Sequence, residues 1–126
     1  MIYLASPYAH DDKLEMEYRF QQAATAVAHF MELGFVVYSP IVHNHYLACN
    51  FSLPRTWDFW KQFDLPILDR CDELWVLELD GWQKSNGVNA EIAHAINTDK
   101  LIIYVAPEGE YNGEDYKYRR VGPLSA

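Results

Sequence analysis

Four short apolar runs divide this chain: Ile2 to Ala5, Phe35 to Ser39, Glu73 to Leu79 and Leu101 to Val105. Their length and their β-branched or aromatic content are those of buried strands. Between the first two, Asp11 or Asp12 caps a long helix whose apolar stripe is Met16, Phe20, Ala24, Val27, Ala28 and Met31, closed by Gly34. Pro40 stops the second strand, and Ile41 to Arg55 reads as a loop carrying His43, His45, Tyr46 and Cys49. Thr56 or Asp58 then starts a helix through Trp57, Phe59, Trp60, Phe63 and Leu65, which Pro66 kinks or restarts before Leu68 and Cys71. After the third strand comes a turn, then a short helix capped by Ser85 or Asn86, with Val88, Ile92, Ala95 and Ile96 on one face.

Strands that alternate with helices specify a parallel sheet, because parallel neighbours need a long crossover between them. The expected fold class is α/β: a flavodoxin/Rossmann-like three-layer fold with a parallel sheet of four to five strands and helices on both faces. Residues 1–106 carry that pattern as one domain. Residues 107–126, with Gly109, Gly113, Gly122 and Pro123 among charges and tyrosines, read as an extended tail of the same domain that packs on a neighbouring subunit. In such sheets ligands bind outside the carboxyl ends of the strands, where the strand order reverses. The rule gathers Ser6 and Tyr8 after strand one, His43 and His45 after strand two, and Asp80, Trp82 and Ser85 after strand three.

Half of the 126 residues are hydrophobic, enough for one domain with a real core. A net charge of −8 argues against binding a nucleic-acid backbone or an anionic membrane, both of which need a basic patch. The two cysteines, Cys49 and Cys71, match no CxxC or zinc spacing, and the chain opens directly on a strand-like segment. The expectation is a cytoplasmic protein with no signal peptide and no membrane span. Four Trp and nine Tyr exceed what one core can bury, so some stack on a flat ligand or line a subunit interface. At least a symmetric homodimer is expected.

Glu91 is the residue most at odds with its surroundings. It falls at i+3 from Val88, on the same face as the apolar positions of its helix. A carboxylate there must be paired, exposed at the mouth of a crevice, or partly buried with a raised pKa. The bland alternative places it at the edge of the stripe with its head in solvent. Asp64 is one of several carboxylates on its helix, Ser85 can be a plain cap, and Trp82 and Tyr8 can be packing groups. If their backbone is extended, His43 and His45 point the same way, as a metal pair would, but no third ligand is evident and no metal is expected.

Tyr3-Leu4-Ala5-Ser6-Pro7-Tyr8, Tyr38-Ser39-Pro40-Ile41 with His43 and His45, Asp64 ahead of Cys71-Asp72-Glu73-Leu74, Gly81-Trp82, and Ser85-x-Gly87-Val88-x-x-Glu91 together carry a resemblance. Over about residues 1 to 105 the chain resembles the nucleoside 2-deoxyribosyltransferase-like superfamily, and within it the DUF1937 branch. The Ser-x-Gly-Val-x-x-Glu element is the most specific part. The resemblance implies that Glu91 is the nucleophile attacking C1′ of a nucleoside and that Asp64 orients the sugar and relays a proton. It implies a contact of Ser85 with a 5′-phosphate and of Tyr8 with base or sugar. The first loop, Ser6-Pro7-Tyr8-Ala9-His10, departs from the glycine- and arginine-rich loop of the similar nucleotide hydrolases and leaves Arg19 as the nearest cation.

Such a set can break an N-glycosidic bond in a nucleoside or nucleoside 5′-monophosphate without a cofactor. Glu91 forms a glycosyl ester, and Asp64, Asp80 or one of the histidines moves the proton. The amides around Ser85 to Val88 can hold a phosphate, Gly87 permits close approach, and Trp82 and Tyr8 can sandwich the base. The alternative is a nucleotide-binding or sensing protein of the same fold without catalysis.

Overall fold

The computed structural model describes residues 1–109 and 117–121. In chain order the elements are β1 (Ile2–Ala5), α1 (Lys13–Glu32), β2 (Val37–Tyr38), α2 (Pro40–Asn50), α3 (Trp57–Arg70), β3 (Glu73–Leu77), a 3₁₀ turn (Trp82–Lys84), α4 (Asn86–Asn97), β4 (Leu101–Glu108) and β5 (Lys117–Val121). The fold is α/β, a five-stranded, mostly parallel sheet with four α-helices among the described residues.

The strand order is β2-β1-β3-β4-β5. The first three pairings are parallel, and β4 with β5 is antiparallel. Because β1 has β2 on one side and β3 on the other, the chain leaves it first one way and then the other. Alternate residues of the central strands enter two separate clusters, as the period-two geometry of a strand requires. Tyr3, Ala5, Leu74, Val76 and Ile102 pack with Leu68 of α3 and with Val88 and Ala95 of α4. Ile2, Leu4, Trp75, Leu77 and Val105 pack with Ala26 and Phe30 of α1.

Local chemistry sets the helix ends. The Asp12 side chain accepts from Leu14 N at 2.9 Å and starts α1. Gly34, at φ +91°, takes the left-handed conformation that turns the chain out of it. The face α1 buries is Met16, Ala23, Ala26 and Phe30, rotated from the expected stripe so that Met31 is exposed. On α4, Ile96 is likewise exposed, while Val88, Glu91 and Ala95 are buried.

Three expectations need correction. The segment after Pro40 is a helix, not a loop: the Ser39 side chain accepts from Val42 N at 3.1 Å, and Pro40 stands at the first helical position, where no N–H is needed. Of the two expectations for Pro66, a kink or a restart, the restart is excluded, because α3 runs through it as one element. The tail is not merely extended, because β4 continues through Pro107 and Lys117–Val121 pairs with it. Arg120 of β5 lies over the Phe35 and Trp75 rings at 5.7 and 5.6 Å, and Tyr118 packs on the same aromatic cluster. The expected tail positions Gly113, Gly122 and Pro123 lie outside the described residues. Among the described residues no helix is long and apolar enough to cross a membrane.

Candidate active site

At the carboxyl ends of β1 and β3 lies a cleft of about 580 Å³, a size that suits a small organic ligand. The loop after β1 supplies Ser6 and Tyr8, helix α2 supplies Asn44 and His45, and α3 with its lead-in supplies Arg55, Trp57, Trp60 and Asp64. The turn into α4 adds Lys84 and Ser85, and α4 itself adds Gly87 and Glu91.

Glu91 is only 3 % exposed, and Tyr3 of β1 donates a short hydrogen bond to its Oε2. Burial pushes the Glu91 carboxyl up to about 8, the Tyr3 hydrogen bond acts in the opposite direction, and the charge of nearby Asp64 adds to the rise. Asp64 is also buried, and burial raises it to about 6. Asn44 Nδ2 donates to its Oδ1 at 3.2 Å, and the charge of His43 holds it down further. Asp64 therefore ionises first, and Glu91 titrates against a charge already in place. Two carboxyl groups held at different protonation levels within one cleft can divide nucleophilic and proton-transfer roles.

Other groups around the cleft are partly committed to the protein and partly not. Ser6 is buried, and its Oγ has no hydrogen-bond partner among the described residues. A buried hydroxyl left unpaired at a cleft wall is a place for a ligand atom. Ser85 Oγ accepts from Val88 N at 3.2 Å, so it caps α4 while also facing the cleft. No acidic residue stands in the first turn of α4, and Lys84 and Arg55 are the cations of the cleft lining. The start of α4 thus presents the positive end of its dipole without a neutralising carboxylate. A Cβ built on Gly87 would lie 3.4 Å from Trp57 Cε3, so the glycine lets the indole lie against the helix start.

Ser6, Tyr8, His45, Asp64, Ser85, Gly87 and Glu91 come together here; His43, Asp80 and Trp82 are not among the lining residues. His43 and His45 sit two residues apart on α2, so their imidazoles diverge rather than point together. Trp82 packs against Tyr104 with ring centroids 5.5 Å apart, on the edge of the core. Asp80 is exposed and accepts from Arg19 Nη2 at 3.3 Å through its carbonyl. Arg19, which also donates to the Ala9 carbonyl at 3.0 Å, ties the first loop to the third and is not in the cleft lining.

As site residues, Tyr3, Asn44, Arg55, Trp57, Trp60 and Lys84 were not singled out by the sequence. Only Tyr3 carried a signal: a tyrosine inside an otherwise aliphatic strand needs a partner for its hydroxyl.

Among curated proteins none matches the chain. A family model described as "Domain of unknown function (DUF1937)" matches residues 1–106, which span β1 through most of β4 and every cleft residue described above, and the chain therefore belongs to the DUF1937 family.

Proposed function

We propose that this protein cleaves the N-glycosidic bond of a nucleoside or nucleoside 5′-monophosphate, ribo or deoxy, by hydrolysis or by transfer of the sugar to a second base, with Glu91 as nucleophile. The observation that carries the reading is the buried Glu91 carboxyl, oriented by Tyr3 and facing a cleft that also holds Asp64. The strand order β2-β1-β3-β4-β5 and the two core clusters support a flavodoxin/Rossmann-like three-layer arrangement. Together with the Ser85-x-Gly87-Val88-x-x-Glu91 element, they support membership of the nucleoside 2-deoxyribosyltransferase-like superfamily.

Cleaving the bond builds positive charge on the sugar and negative charge on the departing base. Tyr3 engages Glu91 Oε2 and leaves Oε1 for attack at C1′. Positive charge developing at C1′ favours the ionised form of Glu91, offsetting the burial that disfavours it. Asp64, fixed by Asn44, orients a sugar hydroxyl and in hydrolysis draws the proton from the attacking water. Water releases the glycosyl ester in a hydrolase, and a second base releases it in a transferase. The amides opening α4, with Ser85, Lys84 and Arg55, suit a 5′-phosphate. The indoles of Trp57 and Trp60 offer the flat apolar walls a base requires, in place of Trp82.

The test is chromatography of free base after incubating wild type and Glu91→Gln with a panel of nucleosides and 5′-monophosphates, with and without added adenine. Release by wild type alone is expected, and a new nucleoside formed from adenine identifies transfer. Absence of turnover, with ligand-induced thermal stabilisation that persists in Glu91→Gln, would leave a nucleotide-binding protein instead.

A further inference from the structure

A second chain of proton-carrying groups reaches the same cleft from outside. Tyr8 Oη lies 2.6 Å from His45 Nδ1, and His45 Nε2 lies 2.8 Å from Glu17 Oε2 on α1. The imidazole is stacked on Phe20, with centroids 4.1 Å apart and planes 14° apart, which holds its two nitrogens toward these partners. Its side chain is 11 % exposed, while that of Glu17 is 51 % exposed and open to solvent. Tyr8 and His45 both line the cleft.

The hydrogen-bond directions follow from the groups themselves. The Gln21 amide, donating to Oε1 at 3.0 Å, and the His45 ring hold the Glu17 carboxyl below its ordinary range, so it is ionised and only accepts. His45 must then carry a proton on Nε2. With a neutral ring, Nδ1 accepts and the Tyr8 hydroxyl donates to it, pointing away from the ligand. With an imidazolium, Nδ1–H donates to the Tyr8 oxygen, and the phenolic O–H is released toward the cleft. Burial pushes the Tyr8 phenol well above its ordinary range, so tyrosinate is disfavoured and Tyr8 gives up its proton only while receiving another.

Building on the N-glycosidic reading, we propose that Glu17, His45 and Tyr8 form a proton relay that protonates the departing base, with Tyr8 as the catalytic acid and His45 and Glu17 as positioning residues. As the C1′–N bond breaks, its electron pair stays on the base nitrogen, which takes the Tyr8 phenolic proton. The Nδ1 proton of the imidazolium moves to the Tyr8 oxygen in the same step. Tyr8 ends neutral, His45 ends neutral with Nε2–H held on Glu17, and once the base has left, Nδ1 regains its proton through the Tyr8 hydroxyl, which takes one from solvent entering the cleft. The ionisable groups facing His45 are Glu17 of α1, Tyr8 of the loop after β1, and Cys49 one turn along α2, with Sγ 3.7 Å from Nδ1. Arg55 acts on Tyr8 by its charge.

Leaving-group dependence tests the relay. Wild type, Tyr8→Phe, His45→Gln and Glu17→Gln are assayed on the nucleoside or 5′-monophosphate that wild type turns over fastest and on the 4-nitrophenyl glycoside of the same sugar or sugar phosphate, whose phenolate departs without a proton. Tyr8→Phe is expected to lower the ratio of nucleoside to nitrophenyl kcat/KM by about 10²–10³. His45→Gln and Glu17→Gln are expected to lower the same ratio, Glu17→Gln by less than His45→Gln, whereas a merely structural role would slow both substrates alike. An unchanged ratio in Tyr8→Phe or in His45→Gln overturns the relay while leaving the Glu91 chemistry standing. If wild type releases base from no nucleoside or 5′-monophosphate of the panel, the N-glycosidic reading fails and the relay fails with it.

Discussion

At the scale of single residues, Glu91 governs both activity and stability through its proton. Its carboxyl is raised from an ordinary value of 4.5 to about 8 in the folded chain, so folding favours the protonated form. The sign follows from proton counting: between those two values the native state binds more protons than the unfolded one, and stability falls as pH rises. Glu91→Gln, which keeps an acceptor for Tyr3 and cannot ionise, is expected to melt higher than wild type at pH 9, by on the order of a few kcal/mol. The two proteins converge below pH 4.5, where wild-type Glu91 is protonated in both states, and calorimetry across that range checks it. The neighbours of Glu91 push in opposite directions. Asp64→Asn removes a like charge and lowers the Glu91 pKa, whereas Tyr3→Phe removes a hydrogen bond to the ionised form and raises it. Carboxyl-carbon NMR titration reads both shifts, and if Glu91 is the nucleophile, the acid limb of kcat/KM moves with them.

At the scale of elements, the approach to the site depends on one backbone position. Gly81, at φ +88°, opens the 3₁₀ turn that leads into α4, and a Cβ there would lie 2.9 Å from Arg19 Nη2. Gly81→Ala forces both a left-handed alanine and a displaced guanidinium, and Arg19 is the tie between the first and third loops. A loss of about 1–2 kcal/mol is expected, read as a lower denaturant midpoint at constant slope. Helix α2 shows why an element can hide. Its start signature, Ser39 followed by Pro40, is also a strand-stop signature, and its polar His43-Asn44-His45 centre breaks the apolar period. Strand β5 hides for another reason. Lys117, Arg119 and Arg120 are what an edge strand carries to resist further pairing, and charges at three of its five positions hide the apolar alternation of a strand.

At the scale of the whole molecule, Tyr46, Phe51 and Phe63 remain exposed by about half or more of their surface. Burial of such side chains between copies is the expected outcome, and light scattering on the purified chain is expected to give at least a dimer rather than 14.7 kDa. What the sequence determined by itself is whatever short-range physics dictates. Apolar runs of strand length made β1, β3 and β4 legible, Asp12 and Ser85 marked helix starts through their capping oxygens, and a carboxylate in an apolar stripe singled out Glu91. Tertiary structure decided the rest, because it turned on which distant surfaces meet. Only the meeting of β1 with α4 gave Glu91 its Tyr3 partner, and only the meeting of α1, α2 and the first loop joined Glu17 to His45 and Tyr8. Those contacts join residues 88, 37 and 28 positions apart, and no period of 2 or 3.6 records them.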